Sequence, residues 1–288
     1  MLIVTGANGQ FGRLVVEALL GRVPAAQVGV SVRDPAGAAD LAARGVRVRR
    51  GDFADPASLA DAFEGAERLL IVPINMVGPD RVRLHRAAID AAVAAGARHV
   101  LYAGLVDPGR SALFPPTASH HATEVALAGA GVPFTLLRNG FYAEAAAMLL
   151  RGGLATGVVA APPDGPIAYT ARADSAEAAA VVLAEGGHEG ETLTLTGDEP
   201  LDLAGLATLA AELTGRPIRR EVVAEADYVA ALQAAGLPDA AAAMLNGLIG
   251  ASREGQFARV DPTLARLLGR APRSPRAVLA EALAAGPG

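Results

Sequence analysis

The N-terminal stretch Leu2-Ile3-Val4-Thr5-Gly6-Ala7-Asn8-Gly9-Gln10-Phe11-Gly12 leaves the chain few ways to fold. Apolar, β-prone residues run into Gly6, and after Gly12 the apolar positions switch to helical spacing, with Leu14, Val15, Ala18 and Leu19 on one face. A strand, a glycine turn and a helix are therefore expected in that order. Glycines let backbone N–H groups approach a pyrophosphate with no Cβ in the way, and a helix N-terminus adds partial positive charge. In that reading Gly6 makes the turn, Gly9 faces the phosphates and Gly12 lets helix and strand pack closely. A chain with 33 glycines can place three by chance, and such a turn can be purely structural. The flanking strand and helix are what favour a dinucleotide.

Composition narrows the possibilities. At 288 residues the chain has room for about two domains, or for one large α/β domain with an appended lobe. With 52% hydrophobic and 19% charged residues and a net charge of -5, it is expected to be a soluble globular protein with no nucleic-acid partner. No run reaches the roughly 18 apolar residues of a membrane span and the first residues do not form an export signal, so a cytoplasmic, membrane-free protein is expected. The absence of Cys excludes disulfides, thiolate nucleophiles and zinc-thiolate sites, and no metal site is expected. Lys is also absent, so all 25 basic residues are Arg. That excludes Schiff-base chemistry, a P-loop lysine and the Tyr-x-x-x-Lys pair of ordinary short-chain dehydrogenases.

The alternation of strands and helices continues down the chain. Val28 to Val32 is expected as a second strand ending at Arg33-Asp34. An acidic residue at that strand end suits a ribose 2′-hydroxyl and an arginine suits a 2′-phosphate, so Arg33 points to NADP, with a solvated loop arginine as the alternative. Pro35 to Arg44 reads as a short helix and Val46 to Arg49 as the third strand, with Asp52-Phe53 beyond it on the edge where an adenine is read. Asp55-Pro56 has the form of a helix N-cap followed by proline. Leu69 to Pro73 is a continuous apolar run, as in a parallel strand covered on both faces, and Ile74 to Gly78 forms a loop at the mouth of the same crevice. A helix over Asp80 to Ala95 and a strand over His99 to Ala103 follow. Val106 to Ser119 contains three prolines and reads as a loop long enough to border a pocket. A helix from Thr117 to about Ala130 and a sixth strand over Val132 to Arg138 lead to Asn139-Gly140-Phe141-Tyr142, at the strand end where sites form. These repeated βα units predict an α/β fold, a Rossmann-type doubly wound parallel sheet.

From about Arg151 the regular repeat gives way to short strands at Val158 to Ala160, Ile167 to Tyr169 and Thr192 to Leu195, among helices over 174–185, 203–213, 227–235, 239–248, 261–268 and 274–284. The expected organisation is an NADP-binding Rossmann domain over residues 1–150 and a smaller, mostly helical substrate-side lobe over 151–288, with the chain free to cross back between them.

Thr5 to Gly12, Val32-Arg33-Asp34-Pro35, Gly51-Asp52-Phe53, His120-x-Ala122-Thr123-Glu124 and Leu137-Arg138-Asn139-Gly140-x-Tyr142 together resemble the atypical short-chain dehydrogenases of the NmrA-like group. Within it the likeness is to type-2 NAD(P)H:quinone oxidoreductases and triphenylmethane reductases. It covers nearly the whole chain, including Thr170 to Asp174 and Gly187 to Gly190. The resemblance implies NADP(H) as cofactor, bound by Gly6, Asn8, Gly9, Gln10, Phe11, Gly12, Arg33, Asp52, Phe53, Val72, Pro73, Ile74 and Asn139. It also implies NADPH-dependent reduction of quinones or dyes without a Tyr-Lys pair. Two positions depart from the family pattern: Ala103-Gly104 stands where relatives tend to carry hydroxyl residues, and Gly37 where a second cation often helps hold the 2′-phosphate.

Among five histidines, His85 and His99 are expected in packing or surface positions and His188 in a glycine-rich turn. His120 and Glu124 share a helix face at i, i+4, so Glu124 is expected to hold His120 as a donor toward an acceptor's carbonyl, with a solvent-facing helix-start residue as the alternative. Tyr142 is the other proton-bearing candidate, with simple packing as its alternative. Hydride addition to a simple ketone yields an alkoxide that needs a well-placed acid. Addition to a quinone leaves a phenolate of pKa about 10, near that of tyrosine, which needs little help. A small aromatic or quinone-like acceptor for NADPH hydride is therefore favoured. A non-catalytic NADP(H)-sensing regulator of the NmrA-like kind and a tailoring reductase for an aromatic polyketide-like substrate stand as alternatives, and monomer and homodimer are both open.

Overall fold

The computed structural model describes residues 1–284. Its first half alternates strand and helix: β1 (Leu2–Thr5), α1 (Gln10–Leu20), β2 (Val28–Val32), α2 (Ala39–Ala43), β3 (Arg47–Arg50), α3 (Pro56–Phe63), β4 (Arg68–Ile71), α4 (Pro79–Ala94), β5 (His99–Leu105), α5 (Pro116–Ala128) and β6 (Phe134–Asn139). The chain then leaves the sheet for α6 (Ala146–Thr156), β7 (Val158–Ala161) and β8 (Ile167–Ala168), and returns with α7 (Arg172–Glu185) and β9 (Thr192–Leu195). After these come β10 (Pro200–Leu201), α8 (Leu203–Thr214), β11 (Arg219–Val222), α9 (Glu225–Ala234), α10 (Asp239–Arg253), α11 (Thr263–Leu268) and α12 (Pro275–Ala284).

Seven strands form one sheet in the order β3-β2-β1-β4-β5-β6-β9, and every pairing in it is parallel. The central strands read as unbroken apolar runs because both faces are covered: Ile3, Val4, Leu70 and Ile71 are fully buried. On one face α1 packs against α7, and on the other α3, α4 and α5 lie side by side. The strand order reverses between β1 and β4, which opens a crevice outside their carboxyl ends. A separate core of Leu150, Val159, Leu206, Ile249, Phe257 and Leu279 holds the second lobe together.

Several element boundaries differ from those expected of the sequence. Helix α1 begins at Gln10 with Gly9 as its N-cap, three residues before the expected start, because Gly12 lies inside the helix where it touches the turn. A Cβ at Gly12 would stand 2.5 Å from the Gly6 carbonyl oxygen, so glycine there serves close approach at the expense of helix propensity. Strand β4 ends at Ile71 instead of Pro73, because the Val72 amide donates to the Thr5 hydroxyl at 2.8 Å. Strand β9, read as part of the second lobe, pairs with β6 as the seventh strand of the main sheet, and α7 covers that sheet. The two short pairs β7-β11 and β8-β10 carry the irregular part of the lobe, and β10 and β11 were not expected. The loop after β5 is pinned from that lobe by Gln256, which donates to the Val106 and Asp107 carbonyls and accepts from the Ser111 amide.

Candidate active site

The glycine turn sits at the carboxyl end of β1, and Gly6 adopts φ 67, a conformation open to few side chains. No side chain caps α1 and no acidic residue lies in its first turn, so the N–H groups there are left for a ligand. Gly9 is exposed, and a Cβ on it would meet the Gly6 carbonyl oxygen alone, at 3.3 Å, with open space beyond. Asn8 and Gln10 are exposed beside it. The Asn8 amide donates to the Asp34 carbonyl at 2.7 Å and thereby ties the turn to the end of β2.

Arg33 is exposed at that strand end and makes no hydrogen bond or ion pair among the described residues. Asp34 is occupied as a cap, accepting from the Ala36 amide. Gly37 has a structural reason: a Cβ there would stand 2.7 Å from the Asn8 amide nitrogen. A cation that the sequence reading overlooked lies close by. Arg13 donates to the Gly37 carbonyl and to both carboxylate oxygens of Asp40.

Asp52 is half-buried and its carboxylate accepts from the Ala54 amide at 3.0 Å. The Phe53 ring is buried and meets His85 edge-on at 6.1 Å, so its side chain packs in the core. Asp55 caps α3 with Pro56 in the first turn, as expected.

A cavity of about 470 Å³ opens at the crevice. It is lined by Phe11, Val72, Pro73, Ile74 and Asn139 and by Phe114, Phe141, Tyr142 and Met244. Of the seven Phe and four Tyr in the chain, four rings thus face this one space, which suits a planar aromatic guest. Tyr142 stacks on Phe11 at 6.1 Å and lies under the Arg172 guanidinium at 5.0 Å. Burial raises the Tyr142 hydroxyl's pKa, against the pull of Arg172. Asn139 is buried; its amide nitrogen donates to the Gly104 carbonyl at 3.3 Å and its Oδ1 has no partner among the described residues.

His120 lines the cavity but is not held by Glu124. The Glu124 carboxylate instead accepts two hydrogen bonds from Arg138, at 3.0 and 2.7 Å, because β6 brings that guanidinium across the helix face. A Cβ at Gly104 would stand 3.3 Å from Glu124 Oε1 and 3.4 Å from the Tyr102 ring. His120 is fixed by Arg81, whose Nη2 lies 2.9 Å from Nε2, and by Tyr102, whose hydroxyl lies 2.9 Å from Nδ1. A guanidinium only donates, so Nε2 accepts and the imidazole proton resides on Nδ1, directed at Tyr102. Burial, then the Arg81 charge, then His85 hold His120 well below its ordinary pKa, so it is neutral. Its proton does not face the cavity.

Behind it, the Ile74 amide donates to His85 Nε2 and Nδ1 donates to the Thr123 hydroxyl. His85 is fully buried and its pKa falls to about 3, through burial and then Arg81. Arg81 and Tyr102 were not singled out in the sequence. A signal for Arg81 existed: it shares the buried stripe of α4 with Leu84, His85, Ala88, Ile89 and Ala92, an unusual place for a charge.

This arrangement defines a dinucleotide-binding α/β protein with an aromatic cavity at the reversal of its sheet. Residues 6–186 match the NAD(P)H-binding family model, and the chain belongs to that family. It is 41% identical over 285 residues to quinone oxidoreductase 2 of Escherichia coli strain K12, covering 98% of this chain and 97% of that protein. The crystal structure of the Escherichia coli NADPH-dependent quinone oxidoreductase complexed with NADPH superposes with a TM-score of 0.93 at 37% identity, covering 98% of this chain and 100% of that one. Triphenylmethane reductase from Citrobacter sp., complexed with NADP(H), gives a TM-score of 0.91 at 31% identity with the same coverage. The family resemblance read in the sequence motifs is thereby borne out, as is the α/β Rossmann-type fold. No described helix is long and apolar enough to cross a membrane.

Proposed function

We propose that this NAD(P)H-dependent oxidoreductase passes hydride to a quinone or quinone-like aromatic acceptor held in the cavity between Phe11, Phe114, Phe141 and Tyr142. The residues present fit the cofactor: an uncapped helix N-terminus behind Gly9 for the pyrophosphate, unpaired Arg33 for a 2′-phosphate, and the unpartnered Oδ1 of Asn139 for an amide donor. When bound, NADPH supplies the hydride.

The observation that carries the acceptor class is a ring-lined cavity in which no side chain is a strong acid. His120 is neutral with its proton turned to Tyr102, and burial has weakened Tyr142 as an acid. An alkoxide formed from a simple ketone would find no ready proton donor here, whereas a phenolate needs little protonation. Phe11 and Tyr142 orient a flat ring, and the second-lobe residue Met244 closes the space from the far side and limits water. The test is steady-state NADPH oxidation against a panel of benzo- and naphthoquinones. Turnover with several of them is expected. Tight NADPH binding without turnover of any quinone would turn the reading toward a cofactor-sensing protein.

A further inference from the structure

Arg81 is 5% exposed, lines the acceptor cavity and has no carboxylate within ion-pairing distance among the described residues. Its Nε–H is buried without a partner among the described residues. The groups facing it from its own helix and from β5 and α5 are His85, Tyr102 and His120, all uncharged in their hydrogen-bonded forms. Glu124, the carboxylate on α5, is taken up by Arg138, and Asp80, next to Arg81 in sequence, pairs with Arg83. A guanidinium does not give up its proton, so α4 carries a full, buried and uncompensated positive charge into the cavity wall. Proteins rarely bury such a charge unless something pairs it.

Resting on the quinone reading above, we propose that Arg81 pairs with the oxyanion of the reduced acceptor, and that the site selects acceptors whose reduced form is a stabilised aryloxide. Hydride transfer forms one new bond to hydrogen at the quinone and reduces it by two electrons, while the nicotinamide donor is oxidised by two. The hydroquinone is left as a monoanion with its charge on a phenolate oxygen, and a proton from water completes it. The charge that appears in this step is the one missing beside Arg81. Developing negative charge next to a preorganised cation in a site with little water is stabilised more than it would be in solution. His120 accepts from Arg81 and so holds the guanidinium in place.

The test uses 4-nitrophenol, whose yellow phenolate reports its own ionisation, titrated against the protein saturated with NADP+. Wild type should bind the phenolate selectively and lower the probe's apparent pKa by about one unit or more, a tenfold preference. Arg81→Met should abolish that shift and Arg81→Lys should retain part of it. Arg81→Met should also lower kcat/KM for quinone roughly 100- to 1,000-fold, the range for losing one oxyanion donor, with NADPH affinity unchanged. Thermal stability of Arg81→Met should be equal to or above wild type, because a costly charge is removed, whereas a merely structural arginine would leave a less stable protein. A wild type that does not shift the probe, an Arg81→Met protein that still does, or unaltered quinone reduction in that variant would each overturn the proposal. A wild type that shifts the probe but reduces no quinone would instead remove the reductase reading and leave the anion site standing.

Discussion

The two ends of the crevice are made of different material. The end proposed for the phosphates is backbone, contributed by one continuous stretch from Thr5 to Gly12 with Arg33 beside it. The cavity end, proposed for the acceptor, is side chains gathered from many elements: Arg81 from α4, His120 from α5, Tyr142 after β6, Arg172 from α7 and Met244 from α10, with Tyr102 of β5 behind His120. A backbone site depends on which positions lack a Cβ and is indifferent to most other substitutions. A side-chain site depends on tertiary placement, and single contacts in it can be exchanged without dismantling it.

The sharpest way to break this contrast is at the glycines. Gly9→Val puts a branched side chain into phosphate space with little else to displace, so NADPH affinity should fall roughly 100-fold or more, about 2.7 kcal/mol, with the melting temperature nearly unchanged. Gly12→Val should differ in kind, because its Cβ meets the Gly6 backbone at 2.5 Å: stability and binding should fall together. Fluorescence titration of NADPH alongside thermal melts separates the two. Equal melting losses would show that Gly9 is structural.

Next in size, Arg33→Ala should cost about 1.5 to 3 kcal/mol of NADPH binding, roughly ten- to a hundred-fold, with little effect on NADH. Equal losses for both cofactors would contradict a contact with the 2′-phosphate.

The acceptor end should also betray itself through pH. His85, with its pKa lowered to about 3, and His120, lowered well below normal, stay neutral in the fold, while an unfolded histidine titrates near 6.5. The unfolded chain therefore binds more protons between about pH 6.5 and 3, and stability should fall as pH drops through that window. The slope is about 1.4 kcal/mol per pH unit for each such histidine. Denaturant midpoints at pH 7, 6 and 5 measure it, and His85→Gln should flatten the curve. A flat wild-type profile would mean the buried histidines are charged in the fold.

The smallest effects are expected at the residues that looked most like catalysts in the sequence. His120→Ala and Tyr142→Phe should each reduce quinone kcat by roughly tenfold or less, well below the 100- to 10,000-fold typical of a lost general acid. Stopped-flow measurement of NADPH oxidation at saturating cofactor gives the comparison. A loss in the general-acid range for Tyr142→Phe would place a proton donor in the cavity, and one for His120→Ala would do so where the Arg81-dependent phenolate shift is retained.

This ranking follows what the sequence could and could not reveal. The strand, the glycine turn and the start of the second strand's loop are local, so periodicity and glycine positions sufficed to place Gly6, Gly9 and Arg33 together at the carboxyl ends of β1 and β2. Helix spacing put Glu124 on the face of His120, but spacing within one helix says nothing of the strand that crosses it. Arg138 reaches Glu124 from β6, and Arg81 reaches His120 from α4, 39 residues earlier. The pairing of β9 with β6 is hidden for a similar reason: four residues after a long excursion do not announce which strand they will pair with. Gly37 and Gly104 read as missing functional groups, and the sequence does not show that a Cβ at either would meet another side chain, Asn8 at 2.7 Å and Glu124 at 3.3 Å.

The acceptor proposed for the cavity is one whose reduced form is already a stable anion. Wild-type protein under saturating NADPH, offered a simple benzoquinone and an unactivated aldehyde or ketone of similar size, tests it most directly. Rapid NADPH oxidation with the quinone and none above background with the unactivated carbonyl is the predicted result. Equal or faster turnover of the unactivated carbonyl, or no oxidation by any quinone, would contradict it.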